Sequence, residues 1–365
     1  MNRIRIIVLS LAILFFPRID AFSFDPPKAG GEKPVKNIIL MIGDGMGTAQ
    51  VHAGLTANGG KLNLERFPIA GFLKTHSTSF VTDSGAGGTA IATGHKTYNG
   101  AIGVDAQGQP VKTILEWAEE AGKATGMATT CAITHATPAS FISHQKKRSD
   151  YELIAADFLK TDIDVFIGGG YDHFAKRKDG VNLTEELRKK GYQVALTIDE
   201  VRETSSGPVA GLLYPVHPPK WSEGRGNLLA ESVTEAIRLL SADPDGFFLM
   251  VEGSQIDWAG HDNQAQHVAD EMIDFDRAVG VALDFAINNG QTLVIVTADH
   301  ETGGVTLLDG DYETGSLKAS FSTTDHTGVM VPVFTYGPHA LKFGGIHDNT
   351  EVFTKMMESF GFKSK

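Results

Sequence analysis

Short, almost wholly apolar runs recur along this chain, and most follow a helical pattern. The first, Asn37–Ile42 (NIILMI), runs straight into GDGMG. Thr125–Cys131 follows a helical pattern over Val111–Ala121, and Asp164–Ile167 leads into Gly168–Gly170. Gly246–Val251 (GFFLMV) follows the amphipathic stretch Leu228–Leu240, and Thr292–Thr297 (TLVIVT) follows a long helix over about Gln264–Asn288. A run too short for a helix and apolar on both sides suits a strand buried on both faces. A strand after each helix, repeated, leaves one economical architecture. It is an α/β three-layer sandwich: a central, mostly parallel β-sheet flanked by helices on both faces. Residues 171–225 are more polar and read as peripheral helices and loops. Asp348 or Asn349 can cap a final helix, with Glu351 near its first turn.

The first 22 residues stand apart. Arg3 and Arg5 precede an apolar run, Ile6–Phe16, and Ala21 offers a small residue for cleavage. This is the pattern of a secretory signal peptide, and the run is about half of what a bilayer span needs. Residues 23–36, with several Pro and Gly, read as an irregular lead-in to the fold, which then occupies 37–365. The formal charge is -12. Removing residues 1–22, with Arg3, Arg5, Arg18 and Asp20, makes the chain more acidic still. That argues against nucleic-acid binding. The single cysteine, Cys131, excludes an internal disulfide.

In open α/β sheets, ligands sit beyond the carboxyl ends of the strands. Those ends are where this chain places its acids and histidines. MIGDGMG puts Asp44 at one and MVEGSQIDWAGHDN puts Glu252 at another. Asp257 and His261 follow four apart, on one face of a helical turn. VTADHETGG supplies Asp299 and His300, and TTDHTGV supplies His326. Singly, each has an ordinary reading: a helix cap, a surface pair, a turn. Together they would gather carboxylates at one sheet edge, which is costly unless cations compensate them. Mixed Asp/Glu/His sets suit Zn²⁺ where histidine is plentiful and Mg²⁺ where oxygen is.

TDSGAGGTAIATG, residues 82–94, is a helix with little side-chain bulk. Asp83 or Ser84 can simply cap it. Its N-terminus also favours an anion, and its small residues allow close approach. A serine there is a weak nucleophile until a base or a metal activates it. THATPASFISHQKKR offers Lys146, Lys147 and Arg148, and the planar fork of arginine is the best of these for phosphate.

These residues resemble the alkaline phosphatases. The motifs DGMG, TDSGAGGTA, THATP, VEGSQIDWAGHDN, TADHETGG and DHTG carry the likeness, from about Asn37 to the last helix. The resemblance implies hydrolysis of phosphate monoesters through a phosphoserine at Ser84. It implies one zinc held by Asp257, His261 and His326. A second zinc, held by Asp44, Asp299 and His300, would activate Ser84. A third cation, normally Mg²⁺, would be held by Asp44, Thr137 and Glu252. Arg148 would clamp the phosphate and Asp83 would orient it. His135 stands where some members carry aspartate near the third metal, and Trp258 where others carry lysine or histidine. Both bear on the third site and on phosphate binding. The stretch 301–325 is short, so the crown insertion of many relatives should be small or absent. The resemblance also implies a periplasmic or secreted enzyme, with no stable membrane insertion after leader removal and with a possible homodimer. The alternatives are a phosphodiesterase or sulfatase of the same superfamily, but DSGAGG lacks the C/S-x-P-x-R setting of a sulfatase.

Overall fold

The computed structural model describes residues 35–363; the leader, most of the lead-in and the last two residues lie outside them. Ten strands form one sheet in the order β14-β2-β13-β8-β1-β7-β3-β4-β6-β5. In chain order they are β1 (Asn37–Gly43), β2 (Ile69–Lys74), β3 (Ala124–Ala132), β4 (Val165–Gly169), β5 (Gln193–Ala195), β6 (Val209–Tyr214), β7 (Phe247–Gly253), β8 (Thr292–Thr297), β13 (Val331–Tyr336) and β14 (Gly345–Asp348). Between β8 and β13 lie β9 (Glu301–Thr302), which pairs with β12 (His326–Thr327), and a hairpin of β10 (Val305–Gly310) and β11 (Leu317–Phe321). Only β13 runs against its neighbours in the large sheet.

Every residue of β1, β3, β7 and β8 is buried. This is why these strands read as unbroken apolar runs rather than alternating ones. Each fully buried Phe, Leu or Ile adds about 1.5–3 kcal/mol over leaving it exposed. Helices Thr48–Ala57, Leu228–Leu240 and Ala265–Asn289 pack together in one layer. Helices Ser84–Thr93, Ile114–Glu120 and Thr350–Phe360 pack together in the other. The longest helix buries Val268, Met272, Phe275, Val279, Leu283 and Ala286, spaced three or four apart along one stripe. It stops at Gly290, whose positive φ ends the helix and turns the chain into β8 two residues later.

The segment 171–225 departs from expectation. It supplies β5 and β6, which extend the parallel sheet at one edge. The apolar run VAGLLY is six residues long and follows a polar turn, and β5 is only three residues, so the polar composition around them masked the strands.

The topology decides where the chemistry gathers. Strand β1 lies between β7 and β8, with Ile42 beside both Glu252 and Thr297. Strand β3 lies beyond β7, with Thr129 beside Glu252. The carboxyl ends of four adjacent strands therefore deliver Asp44, Glu252, Asp299 and the 134–137 turn to one crevice. Among the described residues, no helix is long and apolar enough to cross a membrane.

Candidate active site

Ser84 is the first residue of its helix and is 1% exposed. Asp83 caps that helix: its Oδ1 accepts the Ala86 amide at 3.0 Å. Its Oδ2 accepts the Gly100 amide and the Arg148 Nη1, each at 2.9 Å. One carboxylate thus fixes both the helix start and the guanidinium. Arg148 Nη1 stands 3.5 Å from Ser84 Oγ. Burial opposes the Arg148 charge, but Asp83, with a further contribution from Asp44, leaves its pKa raised. Lys146 and Lys147 face solvent, so Arg148 alone of the three basic neighbours turns inward.

The low bulk of this helix has a specific cause at Gly87. A Cβ there would lie 3.0 Å from the Asp299 backbone oxygen and 3.1 Å from its Cβ. The helix leans directly on the loop that carries Asp299 and His300.

Asp257, His261 and His326 converge. His261 Nε2 is 3.1 Å from His326 Nε2, and each stands 3.4–3.5 Å from Asp257 Oδ1. Four ligands placed about 2.0–2.2 Å from a tetrahedral Zn²⁺ are about 3.3–3.6 Å apart. The two histidine–Asp257 separations match one face of such a tetrahedron, and the His261–His326 separation of 3.1 Å is slightly shorter. The far ring nitrogens agree. His261 Nδ1 faces the Thr324 carbonyl oxygen and His326 Nδ1 faces the Thr82 carbonyl oxygen at 2.9 Å. A carbonyl fixes the proton on Nδ1 and leaves the Nε2 lone pair free for a cation.

Asp44, Asp299 and His300 form a second cluster, all 0% exposed. His300 Nε2 is 3.4 Å from Asp44 Oδ1, 3.5 Å from Asp299 Oδ2 and 3.2 Å from Ser84 Oγ. The two carboxylate oxygens have no hydrogen-bond partner. Burial, then Asp299, Asp257 and Glu252, raise the Asp44 pKa well above the carboxylate range. Burial and Asp257 push Asp299 up to about 7. Orphaned, mutually repelling buried oxygens are the condition that a divalent cation relieves. The His300 and His326 rings stack with centroids 3.5 Å apart, so the two clusters are immediate neighbours. Thr302 joins them, donating to Asp257 and standing 3.2 Å from His300 Nδ1.

Thr137 donates to Asp44 Oδ2 at 3.3 Å. Glu252 is fully buried, and burial raises its pKa. Its Oε2 accepts from Thr129 and from the Cys131 thiol at 3.2 Å, while Oε1 has no partner. His135, Cys131 and Glu252 lie close enough to share one ion. Burial lowers the His135 pKa to about 3, so its ring is neutral. Trp258 meets His135 edge-on at 6.1 Å and His217 at 4.9 Å.

Sequence reasoning missed several supporting residues. Thr302 lies two residues past His300. Thr129 and Cys131 lie inside an apolar strand, where only the register with Glu252 reveals them. Gln50 and Glu301, which brace the ligand loop, are 251 residues apart and leave no local signal. His217 sits in HPPKW, a motif with no chemistry of its own.

The family model for alkaline phosphatase matches residues 35–319. Alkaline phosphatase 4 of Bacillus subtilis is 35% identical over 87% of each chain. The Escherichia coli alkaline phosphatase is 33% identical over 91% of this chain and 87% of that one. The structure of alkaline phosphatase from the Antarctic bacterium TAB5 superposes with a TM-score of 0.86 and 40% identity, covering 91% of this chain and all of that one. A variant of that Antarctic enzyme, His 135 Asp, has been solved with Mg bound in its M3 site. On the family model and on relatives at this identity and coverage, the chain belongs to the alkaline phosphatase family and is a phosphoric monoester hydrolase.

Proposed function

We propose that the chain hydrolyses small phosphomonoesters through a covalent phosphoserine on Ser84, served by two Zn²⁺ ions and a third cation, Mg²⁺. The observation that carries this reading is the placing of Ser84 Oγ. It sits at a helix N-terminus, 3.2 Å from His300 Nε2 and 3.5 Å from Arg148 Nη1. Asp257, His261 and His326 would hold one zinc, and Asp44, Asp299 and His300 the other. Asp44, Thr137 and Glu252 would hold Mg²⁺. Bound there, the ions would lower the pKa of the serine hydroxyl and of water and neutralise the charge developing on oxygen.

The chain's own residues do the rest. Arg148, held by Asp83, grips two phosphoryl oxygens and aligns phosphorus with Ser84 Oγ. The free amides of the Ser84–Thr93 helix face the same charge. Ser84 Oγ forms a bond to phosphorus as the ester P–O bond breaks and the alcohol leaves with a proton. Water then attacks the phosphoserine from the opposite side, returning Ser84 and releasing phosphate. His135 and Trp258 border the third site and set how firmly phosphate is held.

Acid quenching during turnover, followed by peptide mass spectrometry, tests the reading. A single phosphate on Ser84 is expected. Ser84→Ala should lose that mass and nearly all turnover while keeping two zinc per chain; full turnover in that variant refutes the assignment. Faster cleavage of bis-p-nitrophenyl phosphate than of p-nitrophenyl phosphate would favour a diesterase instead. Residues 1–22 act as the export leader in this reading, giving a periplasmic or secreted enzyme. A homodimer is the assembly to look for by light scattering.

A further inference from the structure

Among the described residues, the most exposed large apolar side chain is Phe80, at 80%. One exposed apolar residue is ordinary; the setting of this one is not. It lies four residues before Ser84, on the segment that delivers the nucleophile. Its ring rests on Gly328, two residues past His326, where any Cβ would run into it. Between Phe80 and Ser84, the Thr82 carbonyl faces His326 Nδ1 at 2.9 Å. The segment is braced from behind. Asn99 Nδ2 donates to the Val81 carbonyl oxygen at 3.0 Å, and the Ser77 hydroxyl donates to Asn99 Oδ1 at 2.6 Å. Val329 and Met330 continue the apolar surface after Gly328 and are also exposed. Residues 75–82 and 326–333 contain no Asp, Glu, Lys or Arg, so this rim is uncharged.

The two clusters beside Ser84 differ in their access to solvent. The side chains of Asp44, Asp299 and His300 are sealed at 0% exposure, whereas His261 is 37% exposed. Ser84 Oγ lies against the sealed cluster, at His300. In an in-line displacement the leaving oxygen stands on the far side of phosphorus from the nucleophile. The alcohol therefore points away from His300 and out past His261 and His326, toward the rim that carries Phe80. We infer that Phe80, with Val329 and Met330, forms the subsite for the alcohol moiety of the substrate and favours monoesters of apolar, above all aromatic, alcohols over those of hydrophilic or anionic ones. The inference rests on the reading of Ser84 as the nucleophile. A fixed ring offers an aromatic alcohol a stacking face without ordering cost on the protein side. Covering about 55 Å² of apolar ring, at about 25 cal/mol per Å², is worth about tenfold in affinity.

Competitive inhibition of the metal-loaded enzyme by benzylphosphonate and methylphosphonate tests this. The two share a head group that cannot be hydrolysed and differ only in the tail. Wild type should bind the benzyl compound about tenfold more tightly, and Phe80→Ala should narrow that ratio to about twofold or less. Phe80→Leu should fall between them. The ratio of kcat/KM for benzyl phosphate to that for glycerol 1-phosphate should narrow in the same order. Equal inhibition of wild type by the two phosphonates overturns the subsite without any variant, and so does a ratio that survives Phe80→Ala. A second copy of the chain is the rival occupant of this rim. A drop in mass by light scattering in Phe80→Ala, with the phosphonate ratio kept, would make Phe80 a subunit contact and overturn the subsite. Acid quenching separates the two levels of failure. If Ser84 carries no phosphate, the nucleophile reading fails and the subsite falls with it. A phosphoserine at Ser84 with an unchanged ratio sinks the subsite alone.

Discussion

Replacing Glu301 by glutamine should loosen the metal centre without touching a metal ligand. Glu301 is 3% exposed and follows His300 directly. Its Oε1 accepts from Gln50 Nε2 at 2.7 Å and from the Val305 amide at 3.1 Å. Its Oε2 accepts from the Gly304 amide at 3.2 Å and from the Thr327 hydroxyl. Strand β12 pairs with β9 at the same place, with His326 beside Thr302 and Thr327 beside Glu301. One carboxylate therefore fastens the segments that carry His300 and His326. Glutamine keeps the shape but turns one oxygen into an NH₂ facing two donors. The Thr327 hydroxyl can rotate and accept, but one backbone N–H is left unpaired. Losing hydrogen bonds to a buried charge costs about 1.5–3 kcal/mol each, and an orphaned N–H about 1–3 kcal/mol. A net loss of about 3 kcal/mol follows. At about 2.1 cal/mol/K per residue, unfolding of a chain this size shifts by roughly 1.4 °C per kcal/mol, so Tm should fall by about 4 °C. Outer residues that orient metal ligands are worth about 10–100-fold in metal affinity. Metal release into excess chelator, followed with a coloured indicator, should quicken by that factor. A release rate within about twofold of wild type, with Tm unchanged, would refute the reasoning.

In the proposed mechanism Arg148→Ala removes a two-bond grip on phosphate, worth about 3–4 kcal/mol, so kcat/KM for p-nitrophenyl phosphate should fall about 10²–10³-fold. Arg148→Lys keeps the charge but not the fork; a lysine variant with wild-type kcat/KM would show that bidentate geometry is irrelevant. Trp258→Lys brings an ammonium to the phosphate side of the third site, and inhibition by inorganic phosphate should tighten by about tenfold. Unchanged or weaker inhibition counts against that role. Glu119, distant from the centre, is pushed from 4.5 up to about 7 by burial, opposed by its hydrogen bond from Thr125. A raised carboxyl pKa means that the folded chain holds a proton the unfolded chain has lost between those values. Stability therefore falls as pH rises from about 4.5 to 7. Glu119→Gln should match wild type near pH 4.5 and exceed it above pH 7 by about 1–2 kcal/mol, discounted for partial exposure. Equal melting temperatures at pH 8 would discard this account.

The central strands were legible in the sequence because burial on both faces makes them continuous and apolar, as in NIILMI and TLVIVT. Strands β2, β5, β6, β13 and β14 were not: β2 alternates buried and exposed positions, β5 and β14 are short edge strands, and β6 is apolar but set among polar segments that mask it. The helix over Ser84–Thr93 was readable from its small residues, but the reason for Gly87 was not. It depends on Asp299, brought in from the far end of the chain. The candidate ligands stood out because acids and histidines at strand ends are chemically conspicuous. Thr302, Glu301 and Gln50 did not, because what they do is defined only by what folds against them. Cys131 was noted only as ruling out a disulfide. Its position beside Glu252 comes from the pairing of β3 with β7.

The spread of the donors along the chain has a consequence for biosynthesis. Asp44 follows β1, while His300 and His326 come after β8. A growing chain that stops before β8 can present neither cluster complete, and the long-range parallel pairing of β1 with β7 and β8 is slow to form. Metal capture therefore reports completion. An ion binds tightly only when the whole sheet has closed, and its binding energy then stabilises finished molecules over partial ones.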